Sequence, residues 1–250
     1  MGTAINHVII QLQNIVFQYS TQNAILNQLS FSMCQGERVG LIGDNGSGKT
    51  TLLHLIVGLI KPASGNITIF DRFVQSEEDF YEVRKKIGML FQHSDDQLFC
   101  PTVLEDVAFG PLNLGCSPQE AKEIAYSTLK KLDLAEFENR ITHQLSGGEK
   151  KILALATLLS MNPQVLLLDE PTTGLDESTR SRLSEILNEL HLSYILVSHE
   201  YDFLARNTDS IFGLKDGKVN FHGDSAALHS HYHSHPVGQV PHKHTHTEVD

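Results

Sequence analysis

Two short stretches of this chain place polar and charged residues where phosphate chemistry needs them. Gly43-Asp44-Asn45-Gly46-Ser47-Gly48-Lys49-Thr50 fits the spacing G-x-x-x-x-G-K-[ST], with Thr51 directly behind it. Glycines let backbone N–H groups converge on phosphate oxygens, and a helix starting at the end of the loop adds positive potential. In that arrangement Lys49 reaches the β- and γ-phosphates of a nucleotide and the Thr50 hydroxyl ligates Mg²⁺. Downstream, Val165-Leu166-Leu167-Leu168-Asp169-Glu170 sets two carboxylates after four apolar residues. An unbroken apolar run describes a strand buried on both faces, and open α/β sheets hold ligands at the C-terminal ends of such strands. Asp169 then holds Mg²⁺ through water, and Glu170 polarises the attacking water. Alone, the acid pair would equally suit a helix N-terminus; the upstream phosphate loop favours the nucleotide role.

These groups need elements to carry them. Val8–Tyr19 is rich in β-formers and predicts a strand. Leu29–Met33 and Glu37–Ile42 follow as strands, with Gly36 in the turn between them. After the glycine-rich loop, Thr51–Ile60 predicts a buried helix, ended by Lys61-Pro62 and Ser64-Gly65. Asn66–Phe70 and Ile87–Phe91 are short strands, and residues from about 93 to 162 read as mostly helical. Ser117-Pro118-Gln119-Glu120 is a helix start with Pro near the first position, continued by Ala121–Leu134, and Ser146–Ser160 is a further helix. Strand and helix then alternate through Val165–Leu168, Glu177–Leu190, Tyr194–Val197 and Tyr201–Arg206. Ser210–Leu214 and Lys218–Phe221 form a closing hairpin around Asp216-Gly217. The pattern is α/β with a helical insertion.

Composition narrows the class. The 250 residues carry 19 Lys+Arg against 30 Asp+Glu, for a formal net charge of −11. That balance argues against a nucleic-acid partner held by phosphate attraction. No apolar stretch reaches the roughly 18 residues of a membrane span, and the first residues lack the basic start and apolar block of a signal peptide. Cys34, Cys100 and Cys116 are too widely spaced for a disulfide framework or a CxxC zinc site. A cytosolic chain is the expectation. The 14 histidines are unevenly spread. His229, His231, His233, His235, His242, His244 and His246 crowd into a segment with almost no large apolar residues, which predicts a disordered tail. Only Lys243, Glu248 and Asp250 carry charge there, so the acidity belongs to the remaining chain.

Leu145-Ser146-Gly147-Gly148-Glu149 resembles the signature motif of ATP-binding-cassette ATPases, usually written LSGGQ. The resemblance covers Val8 to about Gly223. It implies a P-loop NTPase cassette fold with a helical subdomain, about 93–162, and an antiparallel β subdomain, in a domain spanning 1–224 ahead of a 225–250 tail. It also implies ATP and Mg²⁺ as cofactors. By the same resemblance Tyr19 stacks on adenine, with Phe17 as the alternative. Gln92 reaches Mg²⁺ and the attacking water, and His199 contacts the γ-phosphate. Thr173-Gly174-Leu175-Asp176 matches the loop that contacts a partner subunit. Ser146, Gly147 and Gly148, at a helix start, form an anion site for the γ-phosphate of a nucleotide held by that partner. Glu149 departs from the usual Gln. A carboxylate aimed at phosphate is unfavourable, so Glu149 is expected to face away or to hydrogen-bond within its helix.

Asp95-Asp96-Gln97-Leu98-Phe99 and Val107-Ala108-Phe109-Gly110-Pro111-Leu112-Asn113-Leu114-Gly115 resemble ATPases of energy-coupling-factor importers, especially the cobalt and nickel group. That resemblance implies integral membrane subunits as partners and a second ATP-binding subunit, identical or not. It also implies a place on the cytoplasmic side of the cell membrane. Leu98, Phe99, Val103, Leu104, Val107 and Phe109 would divide between core and a docking groove. In the tail, H-x-H runs on an extended chain let several imidazoles converge on one metal, and neutral imidazole suits Ni²⁺, Co²⁺ and Zn²⁺. The expectation is therefore an ATP-hydrolysing motor of a transition-metal importer, with nickel or cobalt ahead of zinc. Two other functions fit parts of the chain: a soluble cassette ATPase outside transport, and a metal-storage or chaperone protein whose tail is the main function.

Overall fold

The computed structural model describes residues 7–19, 24–93 and 96–225. The histidine tail and its seven proposed ligands lie outside these residues. Two sheets organise the chain. The first is antiparallel, in the order β2-β1-β4-β5, from β1 (Val8–Phe17), β2 (Leu26–Cys34), β4 (Ser64–Ile69) and β5 (Arg72–Phe73). The second has the order β10-β9-β3-β8-β7-β6. Its strands are β3 (Arg38–Ile42), β6 (Ile87–Leu90), β7 (Val165–Asp169), β8 (Ser193–Val197), β9 (Ser210–Lys215) and β10 (Lys218–Asp224). All of its pairings are parallel except that of β9 with β10. Asp216 and Gly217 both have positive φ in the β9–β10 turn, as the two-residue primed hairpin turn demands.

Helix α1 (Lys49–Ile56) packs between the two sheets. It starts two residues before the expected Thr51 and ends four before Ile60. Its last turn is stopped at Gly58, whose φ is +70° and where a Cβ would meet the Phe80 ring at 2.2 Å. Helix α2 (Glu77–Arg84) and strand β5 were not legible as elements. Yet Ser76 and Asp79 form a reciprocal capping box at the start of α2. Among the described residues, three α-helices lie between β6 and β7: α3 (Val103–Asn113), α4 (Pro118–Lys131) and α5 (Gly147–Leu159). Thr102, Ser117 and Ser146 cap them by the same reciprocal device. Helices α6 (Glu177–Glu189) and α7 (Tyr201–Asn207) complete the α/β alternation.

The parallel strands separate two cores. Val165, Leu167, Ile195 and Val197 join the core shared with α1 and the antiparallel sheet. Leu166, Leu168, Tyr194 and Leu196 join the core of α5, α6 and α7. Alternate residues of β7 and β8 thus face opposite layers, so an unbroken apolar run is required there.

One buried carboxylate ties the chain after β6 to α3. Asp106 is 3% exposed. It accepts hydrogen bonds from Phe99 N at 3.1 Å, Cys100 N at 2.9 Å and Thr142 Oγ1 at 3.0 Å. Burial, reinforced by the adjacent Asp106, pushes the Cys100 thiol up to about 11 and leaves it protonated. Removing the acceptor would strand three donors. Asp106→Ala should therefore cost about 3 kcal/mol and lower the melting temperature by about 6–12 °C, as read by thermal denaturation.

Candidate functional site

Four parallel strands end at matched heights. Val197 is in register with Leu41 on β3 and with Asp169 on β7, and Leu168 is in register with Leu90 on β6. The chain emerging from these ends supplies Gly43, Glu170, Gln92 and His199, each within two residues of its strand's last residue. Glu170, Gln92 and His199 border a cleft of about 520 Å³. Asn45, Gly46, Gly48, Lys49, Thr50 and Thr51 line it from one side, and Gln92, Asp169, Glu170, Thr173 and His199 from the other. Gly43, Asp44 and Ser47 shape the loop instead of lining the cleft.

The loop's conformation explains its glycines. Gly43, Gly46 and Gly48 have φ of +152°, +78° and +106°. A Cβ on Gly43 would lie 2.5 Å from the Leu214 carbonyl oxygen. Gly48 caps α1 without any side-chain hydrogen bond to its first N–H groups. The first turn of α1 thus keeps its N–H groups for an anion. Lys49 is 7% exposed and folds back, donating from Nζ to the carbonyls of Gly43 at 2.7 Å and Asp44 at 3.0 Å. Burial lowers its pKa, and Glu170, Asp169 and Asp44 oppose that shift. The Ser47 hydroxyl is buried without a partner.

Opposite the loop, Thr50 Oγ1 donates to Asp169 Oδ2 at 2.7 Å, and Asp169 is 3% exposed. Two hard oxygen donors at this separation fit Mg²⁺, which takes one or two carboxylates along with substrate phosphates. Glu170 follows with φ +47°, a left-handed conformation that costs a non-glycine residue about 1–2 kcal/mol. Its N–H donates to Val197 O at 3.0 Å. The carboxyl Oε1 is buried without a hydrogen bond, 3.3 Å from His199 Nε2. Burial raises the Glu170 pKa, while His199 and Lys49 hold it down. A buried, unpaired carboxyl oxygen facing an imidazole is poised to take a proton from water.

At the cleft mouth the structure separates the two candidate aromatics. Phe17 is buried, whereas Tyr19 lines the cleft and is 42% exposed. The Tyr19 ring meets the Phe17 edge at 4.8 Å, and its hydroxyl lies 3.4 Å from Thr51 Oγ1. Ile25 and Thr173 also line the cleft. Ile25 carried no sequence signal of a site, and Thr173 stood only inside the partner-contacting motif.

Ser146, Gly147, Gly148, Glu149 and Asp176 are not among the residues lining this cleft. Glu149 behaves as expected: its Oε2 accepts from Ser146 N at 2.7 Å, and Ser146 Oγ accepts from Glu149 N at 3.3 Å. The Ser146 N–H, aided by the Ser146 hydroxyl and Arg140, holds the carboxyl below the usual glutamate range against the effect of burial. The departure from Gln is the capping box already used by α2, α3 and α4. A Cβ on Gly148 would press on Thr179 Oγ1 at 2.8 Å, which sets α5 against the start of α6. Asp176 caps α6 through Thr179 N at 2.8 Å and Ser178 Oγ at 2.7 Å. Near α3, Val103 and Val107 are core, whereas Phe99 and Phe109 are exposed and pack edge to face at 4.7 Å. Leu98 and Leu104 are half-buried, so the apolar set divides between core and surface.

Comparison with known proteins accords with this geometry. The ABC transporter family model matches residues 26–173. The energy-coupling factor transporter ATP-binding protein EcfA of Methanothermobacter thermautotrophicus is 40% identical over 214 residues, covering 84% of this chain and 69% of that protein. CbiO1 from Clostridium perfringens, part of the ABC transporter complex CbiONQ, superposes with a TM-score of 0.79 at 32% identity, over 89% of this chain and 90% of that one. A dimeric, post-hydrolysis form of the ATP-binding cassette MJ0796, bound to ADP and Pi, gives a TM-score of 0.78 at 29% identity, over 86% and 98%. The chain therefore belongs to the ABC transporter family, as an ATP-binding subunit with the P-loop cassette fold.

Proposed function

We propose that this chain is the ATP-hydrolysing motor of an importer for a transition-metal ion, nickel or cobalt ahead of zinc. The observation that carries the motor reading is the cleft at the four strand ends, where the phosphate loop, the Thr50–Asp169 pair and the Glu170–His199 pair meet. Gly43 through Gly48 and the start of α1 cradle phosphates by their N–H groups. Lys49 exchanges the carbonyls of Gly43 and Asp44 for phosphate oxygens. Thr50, Asp169 and Gln92 hold Mg²⁺, which neutralises charge developing on the phosphates. Glu170 accepts the proton of the attacking water, and His199 contacts the γ-phosphate. Tyr19 stacks on the base, and Thr51 supports its hydroxyl.

In this reading two subunits face each other, and Ser146, Gly147, Gly148 and Asp176 of one complete the nucleotide site of the other. Dimeric cassettes among the solved relatives support it. The exposed Phe99–Phe109 pair would receive integral membrane subunits, in keeping with the CbiONQ complex of the similar CbiO1. No helix among the described residues is long and apolar enough to cross a membrane. The chain would thus sit peripherally on the cytoplasmic face. Among the described residues no group of three His, Cys, Asp or Glu is disposed to hold a metal. The cargo reading therefore rests on the energy-coupling-factor-like motifs and on His229, His231, His233, His235, His242, His244 and His246.

Four outcomes test these assignments. Lys49→Ala should weaken MgATP binding by about 10- to 100-fold, as measured by titration calorimetry; unchanged affinity would contradict the phosphate role. Glu170→Gln should bind MgATP normally but lose about 10²- to 10⁴-fold in turnover, and a normal steady-state rate would sink its role as base. In a transport-null cell supplied with this chain and its membrane subunits, Ni²⁺ or Co²⁺ uptake should exceed Zn²⁺ uptake. Deleting residues 229–250 there should lower uptake while ATPase activity persists. Full uptake would make the tail an accessory, and uptake of none of the three ions would remove the cargo reading.

A further inference from the structure

Phe91 and Gln92 follow β6, the edge strand of the six-stranded sheet. Main-chain groups leaving a ladder inside a fold need new partners. Lys151 supplies them from α5. Its side chain is buried, with the residue 3% exposed, and Nζ donates to Gln92 O at 2.7 Å and to Phe91 O at 3.3 Å. Gln97 grips the same region from the far side. Its Nε2 donates to Ala154 O at 3.1 Å and Thr157 Oγ1 at 3.2 Å, and its Oε1 accepts from Phe91 N at 3.5 Å. Lys151, Ala154 and Thr157 are spaced by three and share one face of α5. Burying an ammonium is costly. An apolar side chain would fill that space without the cost, so the charge is kept for the carbonyls it holds.

We propose that Lys151 and Gln97 are positioning residues that fasten the main chain carrying Gln92 to the helix that begins at Ser146-Gly147-Gly148. The inference rests on the nucleotide reading above. Gln92 lines the cleft of its own subunit, whereas the N-terminus of α5 serves the partner's nucleotide in that reading. Because α5 is a single hydrogen-bonded rod, a displacement of Gln92 becomes a displacement of the Ser146–Gly148 turn. The two nucleotide sites of a dimer are thereby coupled through Lys151 and Gln97.

The purified full-length chain tests this. Lys151→Met keeps the length of the side chain and removes the donor; Gln97→Ala removes the second fastening. Both should bind MgATP with near wild-type affinity, because the Lys49 loop is untouched. Turnover should fall by about tenfold or more, since ångström-scale misplacement of a reacting group costs up to about 100-fold. The Mg²⁺ concentration for half-activation should rise, and cooperativity in ATP should be lost. The double variant should be no worse than the poorer single variant, because both residues act on one unit. Wild-type turnover, Mg²⁺ dependence and cooperativity in both single variants would overturn the proposal. A joint loss of nucleotide affinity and thermal stability would do the same, since it marks packing alone, and so would an additive double variant. If Lys151→Met fails to fold, Gln97→Ala carries the same readouts. Failure of the underlying nucleotide reading looks different: wild-type protein would not hydrolyse ATP, or Glu170→Gln would turn over normally.

Discussion

The site depends on one constraint: strands β3, β8, β7 and β6 run parallel and end together. Val197 of β8 is in register with both Leu41 and Asp169, and Leu90 of β6 with Leu168. Parallel strands of matched length deliver everything that follows them to one edge of the sheet. The 2.7 Å bond from Thr50 to Asp169 joins groups far apart in the chain. Shifting any one strand by a residue would turn its core side chains to the wrong layer and carry the polar group at its end out of the cleft. Core packing and site geometry are therefore fixed by the same register.

That register is itself enforced by burial on two faces. Each of Leu166, Leu167, Leu168, Leu196 and Val197 is fully buried, and neighbours alternate between the two cores. β7 carries no charged side chain before Asp169, and β8 carries none. The first charged groups at the C-terminal end of β7 are Asp169 and Glu170, and the first polar residues after β8 are Ser198 and His199. Charge collects at the C-terminal edge because the two cores flanking the strands do not accommodate it. The left-handed φ of Glu170 is the local consequence. Its main chain turns to bond Val197 O, and the side chain borders the cleft beside His199.

Much of this was legible in the sequence, for a physical reason. Gly43 to Thr50, Asp169 and Glu170 are short-range patterns whose spacing is itself the chemistry. The strands other than β5, and α4 to α7, were legible because apolar runs and helix starts are local. The limits of α1 were not: it begins at Lys49 because the glycine loop ends at Gly48, and it stops where Gly58 meets Phe80, a contact no periodicity encodes. Helix α2 was missed although Ser76 and Asp79 announce it, because Phe80 and Val83 are its only buried residues. Gln97 and Lys151 were illegible as site supports. Each donates to main-chain carbonyls that are distant in sequence, and any sequence can supply a carbonyl.

Glu149 and Lys151 show how two neighbouring charges on α5 acquire opposite duties. The N-terminus of a helix carries positive potential that falls off within its first turn. Glu149 lies inside that turn, so its carboxylate is drawn to Ser146 N and closes the same cap that starts α2, α3 and α4. Lys151 lies beyond that turn and faces the end of β6, where carbonyls have lost their ladder partners. A positive charge there gains main-chain acceptors, while a negative charge would meet only more oxygen. Charge on this helix is thus assigned by what the main chain leaves unpaired at each height. The cap leaves Gly147 unobstructed, since a Cβ there would meet nothing within 4 Å, while Gly148 packs against Thr179. The first turn of α5 can therefore present Gly147 outward, while the turn behind it holds the chain on which Gln92 sits.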